Sequence, residues 1–394
     1  MNNIRSYIPL FMLIGSLIFD GVYTVKFGVN IKFYYLVLFA ALPLVLIVNK
    51  KLIIAPHHIL IPLILFLTAF YNASLLNTDY NRFIFITGAI FLNLFVFYNC
   101  FYNVNSKKDL EYTLDFYFNF MFFYSLLASS FYLFTKVLSD DPQIRLFGIF
   151  SEPSTFSIIL VPAIFIFFRR KMYKTSLINI LKVSLMIYCV LEAKSSVGYL
   201  GLMSLFFFYP ERIKTKVSIL FLLIILSAFA FSVSDAFSEK FINLVKHLTS
   251  GNLYTFADPT SVTFFTNGYV AIKSFLSNPI IGNGIGSHAI SYWKYVYEIP
   301  GIIIDPNFMY IGLNFNDANS LFMRIVSETG LMGIFFLIFF IVKYYKCNVI
   351  SDMTLVFLTM VLIREGNFVN PQFFFFIYMY YFNYHSFNYK NKKV

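Results

Sequence analysis

Charge is what this sequence has least of: 12% of its 394 residues are charged, against about 25% in soluble domains. Hydrophobic residues make up 59% of the chain and the mean hydropathy is +0.72. No soluble fold has the polar surface to cover so much apolar chain, which excludes a soluble enzyme or binding module and leaves a membrane protein. Cysteine is scarce as well. Cys100, Cys189 and Cys347 fall in or beside apolar runs without CxxC spacing, so neither a disulfide framework nor a metal centre is expected. A single Trp stands beside 53 Phe and 29 Tyr, a skew that reads as bias toward AT-rich codons more than as aromatic binding surface. Acidic residues are outnumbered 19 to 30, for a net charge of +11. The basic residues sit in short clusters between long apolar runs, the pattern of a positive-inside topology, so no nucleic-acid partner is expected.

A membrane span takes roughly 20 mostly apolar residues, and on that measure about twelve candidates are present. They lie near residues 5–25, 33–49, 58–76, 83–101, 116–138, 153–168, 175–192, 196–210, 216–234, 319–342, 349–363 and 370–387. The expected fold is all-α, a polytopic membrane protein forming one integral membrane domain over residues 1–394. Lys and Arg favour cytoplasmic loops. With the N-terminus inside, Arg5, Lys50/Lys51, Lys107/Lys108, Arg169-Arg170-Lys171, Arg212/Lys214/Lys216, Lys343/Lys346 and Lys390/Lys392/Lys393 all become cytoplasmic. Both termini are therefore expected in the cytoplasm. The first apolar run lacks a small-residue cleavage site and reads as a retained anchor. Residues 235–318, between helices 9 and 10, form one large external loop, long enough for short helices and a lid over the membrane surface. No two-halves repeat of the transporter kind is visible.

Charges inside apolar runs carry the functional signal. Arg145 and Glu152 are seven residues apart in SDDPQIRLFGIFSEPSTF, with Pro153 opening the next span. Glu152 then sits at a helix N-terminus, where its charge is favoured; the plainer account is a cap and an exposed arginine. In NDANSLFMRIVSETGLMGIFFLIFFIV the apolar stretch after Thr329 is too short to span, so the helix begins near Asn319 and carries Arg324 and Glu328 below the interface. Such charges cost at least a few kcal/mol unless they face each other or a polar cavity. Their spacing of four puts both on one helical face, so a self-satisfied pair competes with a hydrated cavity. Arg364-Glu365 stands at the outer mouth of the eleventh span, as a solvated pair or as part of a site.

Other features are weaker. Gly282-x-Gly284-x-Gly286 lacks the third glycine of a dinucleotide loop at the right offset and reads as a tight turn. His57, His58 and His385 read as structural, and His247 and His288 lie in the external loop without partners at ligand spacing. Lys194-Ser195-Ser196 forms the turn between spans seven and eight.

In this order the pieces resemble the O-antigen polymerase family, within the wider superfamily of O-antigen polymerases and ligases. The resemblance rests on Arg145-Leu146-Phe147-Gly148-Ile149-Phe150-Ser151-Glu152-Pro153-Ser154, on Asn278-Pro279-Ile280-Ile281-Gly282-Asn283-Gly284-Ile285-Gly286, and on Asn319-Ser320-Leu321 followed by Glu328-Thr329-Gly330-Leu331-Met332-Gly333. Two departures stand out. Ligases and many relatives carry a histidine just before the position of Asn319, where this chain has Ala318 preceded by Asp317. Many also carry an arginine in the turn where Lys194 stands, so that cationic contact is either missing here or supplied by Lys194.

The resemblance implies a metal-independent glycosyltransferase without cofactor, in the bacterial inner membrane. It would move a growing glycan from undecaprenyl diphosphate to a sugar hydroxyl of the next lipid-linked repeat unit, at the outer face. Its partners would be that lipid-linked oligosaccharide, membrane lipid, a chain-length regulator and a flippase. The residues suit such chemistry on their own account. A diphosphate leaving group gains charge in the transition state, and the planar donors of Arg145, Arg324 and Arg364 match phosphate oxygens. The acceptor hydroxyl needs a base, and Glu152, Asp317 and Glu328 are the carboxylates at hand. The alternatives are an O-antigen ligase, which the missing histidine disfavours, and a polysaccharide flippase or other transporter, which should show repeat symmetry and broken helices in matching halves. Topology reporters fused after Lys174 and within residues 240–310 are expected to report opposite sides of the membrane; the same side for both ends the twelve-span scheme.

Overall fold

Apolar runs with their polar residues gathered at the ends fold as helices here, because hydrocarbon offers no other partner for backbone N–H and C=O groups. The computed structural model describes residues 7–21, 25–26, 30–76, 80–102, 104, 106–138, 145–150, 152–171, 176–208, 259–299 and 312–391. Its helices are α1 (Ile8–Ser16), α2 (Phe33–Asn49), α3 (Pro56–Leu76), α4 (Tyr80–Tyr102), α5 (Lys107–Leu138), α6 (Pro153–Ile166), α7 (Leu177–Glu192), α8 (Ser196–Phe208), α9 (Pro259–Ser277), α10 (His288–Tyr295), α11 (Leu321–Tyr344), α12 (Val349–Arg364) and α13 (Pro371–Asn391). Two two-residue strands, Val25–Lys26 and Asn30–Ile31, pair antiparallel between α1 and α2. They are a minimal exception to the all-α expectation.

Helices coincide with each expected span that lies in the described residues; the stretch 216–234 lies outside them. Four described helices, Arg82–Tyr102, Lys107–Leu138, Pro153–Arg170 and Leu321–Tyr344, are long and apolar enough to cross a membrane, and shorter apolar helices stand beside them. The protein is an α-helical, membrane-embedded one. Helix α5 starts well before the expected 116, and its polar start has a local cause. The Ser106 hydroxyl accepts from the Asp109 amide (3.2 Å) and donates to the Asp109 carboxylate (2.5 Å), while Tyr7 donates to the other carboxylate oxygen (2.5 Å). That is a capping arrangement, with the acid three residues past the cap.

Helix α6 lies at the centre. Every residue from Ser154 to Ile166 is buried, as expected of a helix that is apolar all round. Helix α12 runs antiparallel to it, and an ion pair closes each end: Arg169–Asp352 at 2.6 Å and Arg364–Glu152 at 3.6 Å. Helix α8 packs onto both through Gly198 and Gly201, where an added Cβ would come within 2.7 Å of Ser157 and 2.5 Å of Met360. Small residues set this approach, as is usual between helices in lipid. On the other side Phe375 and Phe376 of α13 meet Phe101, Tyr117 and Phe357. Whatever enriched the sequence in aromatics, their rings fill the core.

Helix α11 is broken. Gly330 has φ 58° and ψ −150°, so the helix ends and restarts there. The loop between α9 and α10 holds the two halves. The amides of Asn283 and Gly284 donate to the Ser327 and Glu328 carbonyls (3.0 and 2.9 Å), while the Leu331 and Met332 amides donate to the Pro279 and Ile280 carbonyls (2.8 and 3.0 Å). Asn72 of α3 secures the loop by donating to the Gly282 carbonyl at 3.0 Å. The continuous helix expected from Asn319 onward is thus corrected: α11 starts at Leu321 behind the Ser320 cap and breaks two residues past Glu328. The stretch 235–318, expected as an external loop and described here over 259–299 and 312–318, holds more than short helices, since α9 has 19 residues and packs along α11.

An added Cβ at Gly330 would stand 2.6 Å from the Pro279 carbonyl oxygen, in a backbone region that L-residues rarely adopt. Gly330→Ala is expected to cost about 1–3 kcal/mol, read as a lower unfolding temperature in detergent and weaker accumulation in membranes. Gly88→Ala, on a helix where an added Cβ meets nothing within 4 Å, should leave both unchanged.

Candidate functional site

The turn entering α11 is wound tightly, with Ala318 and Asn319 both left-handed (φ 59° and 60°). Two consecutive non-glycine residues in that region store strain that the surroundings must hold. Arg364, at the end of α12, donates to the Asn319 side-chain oxygen, which Asn314 also reaches at 2.9 Å; the Asn319 amide bonds the Asp317 carboxylate at 3.1 Å. Arg82 of α4 holds the same turn from outside, donating to the Asn316 side-chain oxygen (2.8 Å) and carbonyl (2.6 Å). Desolvation pushes the Asp317 carboxyl up, with the Asn319 amide and Arg324 opposing, Glu152 adding to the rise and Arg364 opposing it.

Arg324 and Glu328 lie just inside this turn, 4% and 0% exposed. Arg324 Nε donates to Glu328 Oε1 at 3.2 Å, its Nη1 donates to the Gly366 carbonyl at 2.8 Å, and its guanidinium lies 4.6 Å from the Phe368 ring centre. The pair is therefore in contact, as the spacing of four predicts, but it is not self-sufficient. The His288 amide gives Oε1 a second donor at 3.3 Å, whereas Glu328 Oε2 and Asn319 Nδ2 are buried without partners.

His288 brings a side-chain network with it. Its Nδ1 is 2.9 Å from Ser327 Oγ and its Nε2 3.1 Å from Asn267 Oδ1. The Asn267 amide nitrogen donates to the Thr263 and Leu313 carbonyls (2.8 and 3.3 Å). With those hydrogens committed, Asn267 offers an acceptor, His288 Nε2 carries the hydrogen, and Nδ1 accepts from Ser327. Burial, with Arg324 and Arg82 nearby, pulls the imidazole down to about 3, so the ring is neutral at physiological pH. His288, expected only to lack partners at metal-ligand spacing, has hydrogen-bond partners 21 and 39 residues away, which become its neighbours when α9, α10 and α11 pack.

The remaining expected site residues fall into two groups. Glu152 precedes α6 with extended backbone, takes the Ser154 hydroxyl at 2.9 Å and joins the site through Arg364. Beside Arg145, the Leu146 amide bonds the Glu192 carbonyl (3.2 Å), and the Arg145 charge acts on Tyr199. Tyr132 donates to the Glu192 carboxylate at 2.7 Å. Lys194 stands in the turn after α7, buried, with φ 48°. Among the described contacts none joins the Arg145 guanidinium to Arg324, Arg364, Asp317 or Glu328. Sequence reading did not single out Arg82, Asn267, Ser327 or Glu192. A signal existed for Arg82 and Glu192, since each is a charge at the edge of an apolar run; Asn267 and Ser327 had none.

Below the charged pair lies an apolar cavity of about 500 Å³. Ile281, Thr329 and Phe368 line its end nearest Arg324, and His57, Tyr344 and Tyr378 its far end. The second half of α11, Leu331 to Tyr344, is fourteen residues, or about 21 Å of helix. Among the described residues no group of three or more His, Cys, Asp or Glu could hold a metal ion.

Comparison with known protein families finds no family model that matches this chain, and no curated protein matches it.

A buried charge stripped of its partner costs about 3–5 kcal/mol, whereas replacing both members with apolar residues is often neutral. Arg324→Met is therefore expected to reduce accumulation and unfolding temperature sharply, and the double variant Arg324→Met/Glu328→Met to regain most of the loss. A double variant no better than Arg324→Met would show that Gly366 and Phe368, and not Glu328, carry the cost.

Proposed function

We propose that this chain is a membrane glycosyltransferase of the O-antigen polymerase type, acting on lipid-linked oligosaccharide repeat units. The observation that carries the reading is Glu328: fully buried, held at Oε1 by Arg324 and the His288 amide, with Oε2 free of any partner. In this reading Glu328 takes the proton of the acceptor sugar hydroxyl. The hydroxyl oxygen bonds to the anomeric carbon of the growing glycan, whose bond to undecaprenyl diphosphate breaks with the electron pair leaving on the diphosphate. Arg324 spends two donors on protein acceptors and, like Arg364, has others for phosphate oxygens. The apolar cavity beneath, beginning at Phe368, suits the hydrocarbon chain of such a substrate.

The reading includes twelve spans, both termini cytoplasmic, residues 235–318 external, and the site at the outer face of a bacterial inner membrane. In this reading Glu152 and Asp317 stand around the site and Glu328 at the reaction, while Arg145 and Lys194, on either side of Glu192, are further cationic candidates for the diphosphate.

The broken α11 favours one second reading. Discontinuous helices mark the binding sites of many transporters, and one such break is present at Gly330, though transporters carry them in matching positions of two halves. A polysaccharide flippase is therefore the competing function. Deleting the gene and resolving surface polysaccharide on gels separates these readings. One repeat unit on the lipopolysaccharide core is expected for a polymerase, and none for a flippase or ligase. Returning Glu328→Gln to the deletion strain, at normal protein level, should leave the single-repeat pattern; a full polymer ladder from that variant would remove Glu328 from the chemistry.

A further inference from the structure

We propose that His288 is a positioning residue for Glu328, holding the carboxylate so that Oε2 alone is presented to the acceptor; the inference rests on Glu328 being the base. Geometry carries it. Glu328 Oε1 has two donors, Arg324 Nε on its own helix and the backbone amide of His288 at the start of α10. A backbone donor is only as well placed as its residue, and His288 is pinned on both sides of its ring. Asn267 anchors Nε2 to α9, and Ser327, the residue before Glu328, anchors Nδ1 to α11. The ring thus ties the amide to the same turn of helix whose carboxylate it must meet.

The loop before α10 sets the same register a second time, since the Gly284 amide bonds the Glu328 carbonyl at 2.9 Å and the Ser287 hydroxyl returns to the Gly284 carbonyl at 2.6 Å. Glu328 is therefore gripped at its backbone by the glycine loop and at its side chain by the first residue of the helix that follows.

The ring is not itself the base. Its one lone pair is engaged by Ser327, and its N–H is spent on Asn267. Ser327 has a lesser alternative, the Arg324 carbonyl one turn back at 3.2 Å. Without the imidazole its hydroxyl would turn there, and the tie between α10 and α11 would be lost.

The test uses the full-length protein in membrane vesicles, supplied with lipid-linked repeat units isolated from a strain lacking it, and reads kcat and KM per folded molecule. His288→Gln keeps an N–H for Asn267 but offers Ser327 no ring nitrogen; Ser327→Ala removes the same bond from the other side. Each is expected to lower kcat about fivefold, the loss of one ordinary hydrogen bond, with KM unchanged. Because both delete one interaction, the double variant should be no slower than either single one. A purely structural histidine would lower the amount of folded protein and leave turnover per folded molecule at the wild-type level. Normal kcat in Ser327→Ala, or effects that multiply in the double variant, overturns the proposal. If His288→Gln fails to accumulate, Ser327→Ala decides alone. Glu328→Gln in the same assay separates the two readings: if it turns over, Glu328 is not the base and the function reading fails with it, whereas an inactive Glu328→Gln beside normal Ser327→Ala sinks only the role of His288.

Discussion

The architecture around the site depends on one backbone junction, the reciprocal set of hydrogen bonds between the interrupted α11 and the glycine-rich loop before α10. A helix that stops within a membrane leaves carbonyls on one side and amides on the other without partners, each costing several kcal/mol in hydrocarbon. Here four bonds of 2.8–3.0 Å satisfy both sides. The junction also decides where the charges go. Ending the first half of α11 just past Glu328 places Arg324 and Glu328 in its last two turns, where α9, α10 and the α12–α13 connection close around them, and leaves the second half to line the apolar cavity.

This explains why two sequence motifs that look unrelated occur together. Asn278–Gly286 and Glu328–Gly333 are two sides of one contact, and the glycines are required by proximity. An added Cβ at Gly282 would lie 2.4 Å from the Glu328 carbonyl carbon, and at Gly284 it would lie 2.8 Å from Ala69 Cα. The tight turn expected at residues 282–286 is present, with Gly282, Gly284 and Gly286 all at positive φ. What the sequence could not disclose was its partner, because nothing local says that a turn of this kind will cap a broken helix some 45 residues downstream.

Legibility followed the range of the interactions involved. Helix positions were readable because apolar runs are local, and the contact of Arg324 with Glu328 because a spacing of four is local. The gathering of Arg364, Asn319 and Glu152 was not, although each was noticed, because it comes from the antiparallel packing of α6 and α12 and from the left-handed turn at Ala318-Asn319. His288 shows the limit most clearly. Ligand spacing was the wrong criterion for a residue whose ring bonds come from α9 and α11 and whose amide reaches Glu328.

Charges of both signs crowd around the turn that enters α11. Arg82, Arg324 and Arg364 lie among Glu152, Asp317, Glu328 and Glu365, three basic residues to four acidic ones. Asp317 is the member whose surroundings disfavour its charge, and the nearby Glu152 carboxylate adds to that. The same balance explains why so many charges are tolerated at this depth: paired among themselves they cost little, and the remaining unmatched atoms, Glu328 Oε2 and Asn319 Nδ2, are those that a substrate hydroxyl or phosphate could satisfy.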